Sequence, residues 1–62
     1  MTFERRKTCL LNDIKSAFNN TNNTAKKITL SNYYSTVEHQ KADLIDYTWY
    51  YNTLERFGFE FK

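Results

Sequence analysis

Large apolar residues recur every three or four positions through the second half of the chain, and this spacing constrains the fold more than any other feature. The series runs Leu30, Tyr33, Val37, Gln40, Leu44, Tyr47, Tyr51 and Leu54, with Gln40 as its one polar member. Because an α-helix repeats every 3.6 residues, such a series lies along one face of a helix. The pattern predicts a helix from about residue 36 to residue 57. Gly58, the only glycine, follows at the position where a helix end favours a left-handed residue.

The N-terminal third of the chain predicts another amphipathic helix, from Thr2 to about Asn19. Its apolar residues share one face at helical spacing, namely Phe3, Leu10, Leu11, Ile14, Ala17 and Phe18. Thr2 can accept a hydrogen bond from an amide of the first turn. Lys7 interrupts the apolar face, and we expect its aliphatic stem to lie along that face while its ammonium reaches solvent. The Asn- and Thr-rich stretch at 19–25 predicts a loop, because these side chains compete for backbone hydrogen bonds.

Residues 26–35 fit either a strand or the start of the second helix. The segment is rich in β-branched and aromatic residues, which favour strands, whereas the apolar spacing favours a helix. A helix could begin with Thr29 as its cap, or at the capping box Ser-Thr-Val-Glu that starts at Ser35. The second choice leaves residues 27–34 as a strand or an irregular segment, next to the alternating phenylalanines of the tail at 58–62.

The chain is long enough for only one small domain, and covalent links can do little to stabilise that domain. A domain of 62 residues buries only about 60% of the surface that its unfolded chain exposes. One cysteine and one histidine exclude an intrachain disulfide and a Cys/His zinc site. We predict a mainly α domain, a helical hairpin whose long aromatic-rich second helix is completed by dimerisation or by the C-terminal Phe tail. The alternative is a small α+β domain with a short strand at 27–34.

Few residues could support catalysis. His39, Asp43 and Asp46 share one face of the predicted second helix, which could hold a divalent metal or a proton-transfer pair. We favour an ordinary solvated face, because such sites are rare. Cys9 lies one turn after Arg5 and is interpreted as an ordinary thiol at the edge of the first helix. Neither a phosphate-binding glycine loop nor a catalytic triad can be assembled, so we predict a non-enzymatic protein without cofactor or metal.

A second apolar strip on the predicted second helix favours a protein-binding role. Ala42, Ile45 and Trp49 lie opposite the heptad face, and Tyr50 and Phe57 flank that face. One short helix cannot cover so much apolar surface, and Trp and Tyr are enriched in binding hot spots. We predict Ile45, Trp49, Tyr50 and Phe57 as protein-binding residues. The simpler interpretation is that the second helix is central and is buried by the first helix, by the Phe tail and by a second subunit.

The charge distribution supports an alternative function, nucleic-acid binding. Residues 1–37 carry a net charge of +4 and residues 38–62 one of −2, which together give the +2 of the whole chain. In this alternative, basic side chains bind phosphates and two tyrosines stack on bases. The residues are Arg5, Arg6, Lys7, Lys26, Lys27, Tyr33 and Tyr34. The pI of 8.8 is below the value of about 9 that is typical of nucleic-acid-binding domains, so protein binding takes precedence.

The general character of the chain resembles accessory proteins of phages and mobile elements. It is short, rich in residues with AT-rich codons and poor in catalytic residues, and 11 of its 62 residues are aromatic. Many such proteins cover a surface of a host protein, for example as inhibitors of host-defence systems such as anti-CRISPRs. The resemblance implies a small viral inhibitor in the host cytoplasm, with a host protein as its partner. A homodimer is the expected oligomer, and no apolar run approaches the ~20 residues of a membrane span.

Overall fold

The computed structural model describes residues 2–58, so the predicted Phe tail beyond Gly58 lies outside the described residues. The described part is 82% helical and contains no strand, which confirms the mainly α prediction. Three α-helices follow one another, α1 (Phe3–Asn20), α2 (Thr24–His39) and α3 (Tyr47–Arg56), with a short 3-10 helix, Ala42–Leu44, between the last two. Within residues 2–58, no helix is both long enough and apolar enough to span a bilayer.

The first helix, α1, is the centre of the fold, because α2, the 3-10 helix and α3 all pack against it. As predicted, Thr2 caps α1, and its hydroxyl oxygen accepts a hydrogen bond from the Arg5 amide at 3.2 Å. Residues from every α-helix form the buried core: Leu10, Ile14, Ala17, Leu30, Val37, Ile45, Tyr50 and Leu54. The central position therefore belongs to α1, whereas the simpler interpretation of the sequence had given it to the second helix.

The second helix, α2, begins at Thr24, earlier than either predicted starting point. Asn23 caps it by accepting a hydrogen bond from the Lys26 amide at 3.1 Å. The structure thus corrects the alternative of a strand at 27–34. Leu30 and Val37 lie seven positions apart and are 1% and 0% exposed, so a helix buries both of them on one face. Burial of this pair outweighs the strand propensity of the surrounding residues.

The long helix predicted for residues 36–57 is divided in two, and Lys7 explains where α2 stops. Its ammonium donates hydrogen bonds to the carbonyl oxygens of Glu38 at 2.9 Å and Gln40 at 2.7 Å. The last carbonyl oxygens of a helix have no hydrogen-bond donor within the helix, and a lysine ammonium can donate to them. The prediction that the Lys7 ammonium simply extends into solvent is therefore wrong, because the ammonium binds backbone carbonyls and anchors the end of α2 on α1.

The break changes which residues of the linking segment face the core. Asp46 caps α3, and its carboxylate accepts a hydrogen bond from the Trp49 amide at 3.1 Å. Ile45 is 7% exposed and belongs to the core, whereas Leu44 is 70% exposed. A continuous helix would have buried Leu44, a member of the heptad series, and exposed Ile45. The heptad series therefore fails at Leu44, because the helix that would carry it does not continue through this position.

Two further contacts fix α3. The Tyr47 hydroxyl lies 2.7 Å from the carbonyl oxygen of Ala42 and 3.1 Å from that of Phe3, and it can donate to either. At the other end, Gly58 has a φ of +83°, and its amide donates to the Glu55 carbonyl at 2.9 Å. This confirms the left-handed residue predicted after the last helix.

Candidate protein-binding surface

Four aromatic rings meet on one side of the molecule, one from α2, two from α3 and one from the residue that follows α3. We call them the aromatic surface: Tyr33, Trp49, Tyr50 and Phe57. The ring of Tyr33 lies 5.5 Å from that of Trp49 and 5.8 Å from that of Tyr50, in both cases edge to face. It also stacks on Phe57 at 6.4 Å, with 15° between the ring planes. Tyr33 thus links α2 to both ends of α3.

Trp49 is the most exposed ring of this surface, with 49% of its side chain accessible to solvent. It is nevertheless held in place. Its ring packs edge to face on Tyr50 at 5.0 Å as well as on Tyr33, and its amide is bonded to the Asp46 carboxylate. Edge-to-face pairs contribute about 0.5–1.5 kcal/mol beyond simple burial. Trp49 therefore presents an exposed ring whose orientation is already fixed.

Charged residues of both signs border the aromatic surface. The Lys26 ammonium lies 6.0 Å from the centre of the Phe57 ring, within the range of a cation–π contact. Asp46 stands at the start of α3, and Arg56 is in its last turn. A carboxylate therefore lies beside Trp49 and an ammonium beside Phe57.

Two of the four predicted protein-binding residues are buried. Ile45 and Tyr50 are 7% and 8% exposed, so they belong to the core and offer a partner little surface. For Ile45 the reason is the break before α3, which turns it inward. Burial raises the pKa of Tyr50 above its ordinary value of 10.0, and the neighbouring Tyr33 and Asp46 raise it further. Trp49 and the partly buried Phe57 remain available.

Tyr33 belongs to the aromatic surface, although the nucleic-acid alternative predicts that it stacks on bases. The sequence contains an indication that Tyr33 packs within the protein, because Tyr33 belongs to the heptad series that also contains Tyr47 and Leu54. Tyr33 and Tyr34 point to different sides of α2, since Tyr34 lines a groove between α1 and α2 together with Ile14. The two rings therefore do not form one stacking platform.

The basic residues of the nucleic-acid alternative are not brought together. Arg5 and Arg6 lie at the start of α1, whereas Lys26 and Lys27 lie at the start of α2, next to the far end of α1. At 1.5 Å per residue, roughly 20 Å of helix separates the two pairs. The fifth residue, Lys7, is bonded to backbone carbonyls. The structure shows two small basic regions at opposite ends of the hairpin in place of a continuous stripe.

The remaining polar candidates are also dispersed. His39 is the last residue of α2, Asp43 lies in the 3-10 helix and Asp46 caps α3, so they no longer share a helix face. Across residues 2–58, no three His, Cys, Asp or Glu side chains gather where they could hold a metal ion. Cys9 is an exposed free thiol.

Comparisons with known protein families, with curated proteins and with solved structures found no match. The candidate surface is therefore assigned from its own geometry.

Proposed function

We propose that the chain is a small non-enzymatic protein-binding module that contacts its partner through the aromatic surface, with Trp49 at the centre of the contact. The observation that carries this proposal is that Trp49 is 49% exposed while its ring is fixed by two edge-to-face contacts. A large apolar ring that is ordered before binding loses little conformational entropy when a partner covers it. Trp is also among the residues most enriched in binding hot spots.

The exposed part of Trp49 is large enough to matter energetically. A Trp side chain offers up to about 250 Å² of surface, so roughly 100 Å² remains to be covered by a partner. At about 25 cal/mol per Å², covering it contributes about 2.5 kcal/mol. Phe57 and Tyr33 extend the contact on the same side of the molecule.

The proposed partner is a host protein, and the proposed role is that of a phage or mobile-element accessory protein which inhibits or regulates its partner by covering a surface. The abundance of aromatic residues and of residues with AT-rich codons supports this role. Inhibition of a host-defence system, as by an anti-CRISPR, is one example. Such a role places the chain in the host cytoplasm.

A second copy of the chain is the alternative occupant of this surface, and the charges at its two ends favour it. If two α3 helices pack antiparallel, Asp46 of one copy faces Arg56 of the other, twice around the two-fold axis. The nucleic-acid alternative receives less support, because its basic residues lie at opposite ends of the hairpin.

A capture experiment with matched variants tests the proposal. Tagged wild type, Trp49→Ala and Phe3→Ala are incubated with bacterial lysate, and retained proteins are quantified by mass spectrometry. Phe3 is a suitable control because it is aromatic, is also 49% exposed and is not among the rings of the aromatic surface. We expect a protein that wild type and Phe3→Ala retain and Trp49→Ala loses, with affinity weakened by about 30-fold, the effect of a hot spot of about 2 kcal/mol.

Identical retention by all three proteins would contradict the role of Trp49. Light scattering on the same samples separates the two occupants. A foreign partner predicts a monomeric wild type, whereas a second copy predicts a dimer that Trp49→Ala converts to a monomer.

A further inference from the structure

A groove on the opposite side of α2 has a mainly apolar surface, with polar side chains at its edge. It lies between the second half of α1 and the middle of α2 and has a volume of about 320 Å³. Ile14 and Leu30, which are fully or almost fully buried, form its floor. The rings of Phe18 and Tyr34 line it as well, and both are partly buried against the core. The groove lies at the lower end of the size range of ligand pockets, about 300–1,000 Å³.

The charge around this groove is positive. Lys15 lines it directly. The Lys27 ammonium lies 5.2 Å from the centre of the Phe18 ring, and Lys27 also lines an adjoining depression together with Phe18 and Ile28. Within residues 2–58, no Asp or Glu side chain lines either cavity. An occupant that carries negative charge beside an apolar group therefore complements both the shape and the charge of this site.

The shape of the groove favours a protein segment over an enclosed small molecule. Its rim includes the exposed side chains of Lys15 and Ser31, so it is open to solvent along the helices. It extends over residues 14–19 of α1 and residues 30–34 of α2, a length of one to two helical turns. This space accommodates one large apolar side chain, whose neighbours along a bound peptide would then lie near the lysines.

We infer that this groove binds an acidic segment of a partner protein, which inserts one large apolar side chain against Phe18 and Tyr34 and places carboxylates near Lys15 and Lys27. The inference rests on the proposed protein-binding function, because the ligand is a protein segment. It uses none of the residues of the aromatic surface, so the two sites can be tested separately.

The test uses the blocked peptide acetyl-Glu-Glu-Phe-Glu-Glu-amide, titrated into isotope-labelled full-length protein and followed by amide NMR. We expect shifts confined to residues 14–19 and 27–34. Lys15→Gln should weaken binding by about threefold, the size expected of an exposed ion pair. Lys41→Gln is the matched control, because Lys41 is also exposed and lines neither cavity, and it should leave the affinity unchanged. Added salt should weaken binding, since exposed charges are screened.

A second pair of variants tests the site without touching a lysine. Ser31→Glu places a carboxylate on the exposed rim and should abolish binding, whereas Ser16→Glu, at an exposed position of α1 outside both cavities, should not. A peptide with lysines in place of the four glutamates, or with alanine in place of the phenylalanine, should not bind. The inference is overturned if the acidic peptide causes no shifts at millimolar concentration, if the lysine peptide binds equally well, or if the shifts centre on Trp49.

Discussion

Replacing Lys7 by methionine is expected to lower the free energy of unfolding by about 2 kcal/mol. The Lys7 ammonium donates to the carbonyl oxygens of Glu38 at 2.9 Å and Gln40 at 2.7 Å. Hydrogen bonds that involve a charged group contribute about 1.5–3 kcal/mol each. One of the two bonds is exposed, and ordering a lysine side chain costs up to about 2 kcal/mol. The net loss is therefore smaller than the sum of the two bonds.

Thermal and urea unfolding, followed by circular dichroism, measure this loss. Methionine keeps an unbranched apolar stem of similar length, so the substitution removes the ammonium and little else. In a domain of this size, 1 kcal/mol shifts the melting temperature by roughly 4–8 °C, so Lys7→Met should melt about 8–16 °C below wild type. Lys41→Met is the control, because it also removes one positive charge but from an exposed position.

The reasoning is refuted if Lys7→Met and Lys41→Met differ by less than about 0.5 kcal/mol, the usual range of surface substitutions. In that case the ammonium does not hold the end of α2, and the division of the second helix needs another cause. Lys7 would then also return to the residues available for binding phosphates.

Three further measurements test the start of α3 and the partly buried Tyr51. Asp46→Ala should lower the free energy of unfolding by about 1 kcal/mol in urea titrations, because Asp46 caps α3. Asp46→Asn should retain most of the stability, because asparagine is also a good cap. An equal loss in both variants would contradict the capping role. Tyr51→Phe should cost about 1 kcal/mol at neutral pH, since the Tyr51 hydroxyl donates to the Asp13 carboxylate at 3.0 Å, and unchanged stability would exclude that bond. Burial and this hydrogen bond hold the pKa of Tyr51 well above its ordinary value of 10.0, so its contribution is complete below pH 10 and is lost as the pH rises further. Circular dichroism should therefore show wild type unfolding in alkali, with a shallower pH dependence in Tyr51→Phe; identical curves would contradict the shift.

The first helix could be predicted from the sequence because all its signals are local. Thr2 precedes the apolar face, and Leu10, Ile14 and Ala17 repeat at helical spacing, so cap and periodicity agree. The same holds for Gly58, whose position after the last helix requires no knowledge of the rest of the fold.

The division of the second helix could not be predicted, because its cause is a contact between distant residues. Lys7 and Gln40 lie 33 positions apart, and nothing near Gln40 in the sequence marks a helix end, since this stretch contains neither proline nor glycine. The register error at Leu44 and Ile45 follows from the same contact. The start of α2 was misjudged for a different reason, since the propensity of single residues concealed the burial of Leu30 and Val37.

The outward position of Trp49 could be predicted from the sequence, whereas the rings around it could not. Trp49 lies opposite the apolar seam, and it is exposed in the structure. Periodicity places Tyr33 on a helix face but does not say which rings of another helix it meets, so its contact with Trp49 depends on the tertiary structure. The burial of Ile45 and Tyr50 depends on the tertiary structure as well.

The most direct test of the central claim, that a partner protein covers Trp49, is the fluorine NMR spectrum of protein labelled with fluorotryptophan. Trp49 is the only tryptophan, so it gives one signal. We predict that this signal shifts and broadens in soluble bacterial lysate, relative to buffer. The control carries Trp49→Ala and Phe3→Trp together, which moves the label to an equally exposed position, and its signal should stay narrow. A Trp49 signal as narrow in lysate as in buffer, or equal broadening in the control, would contradict the account.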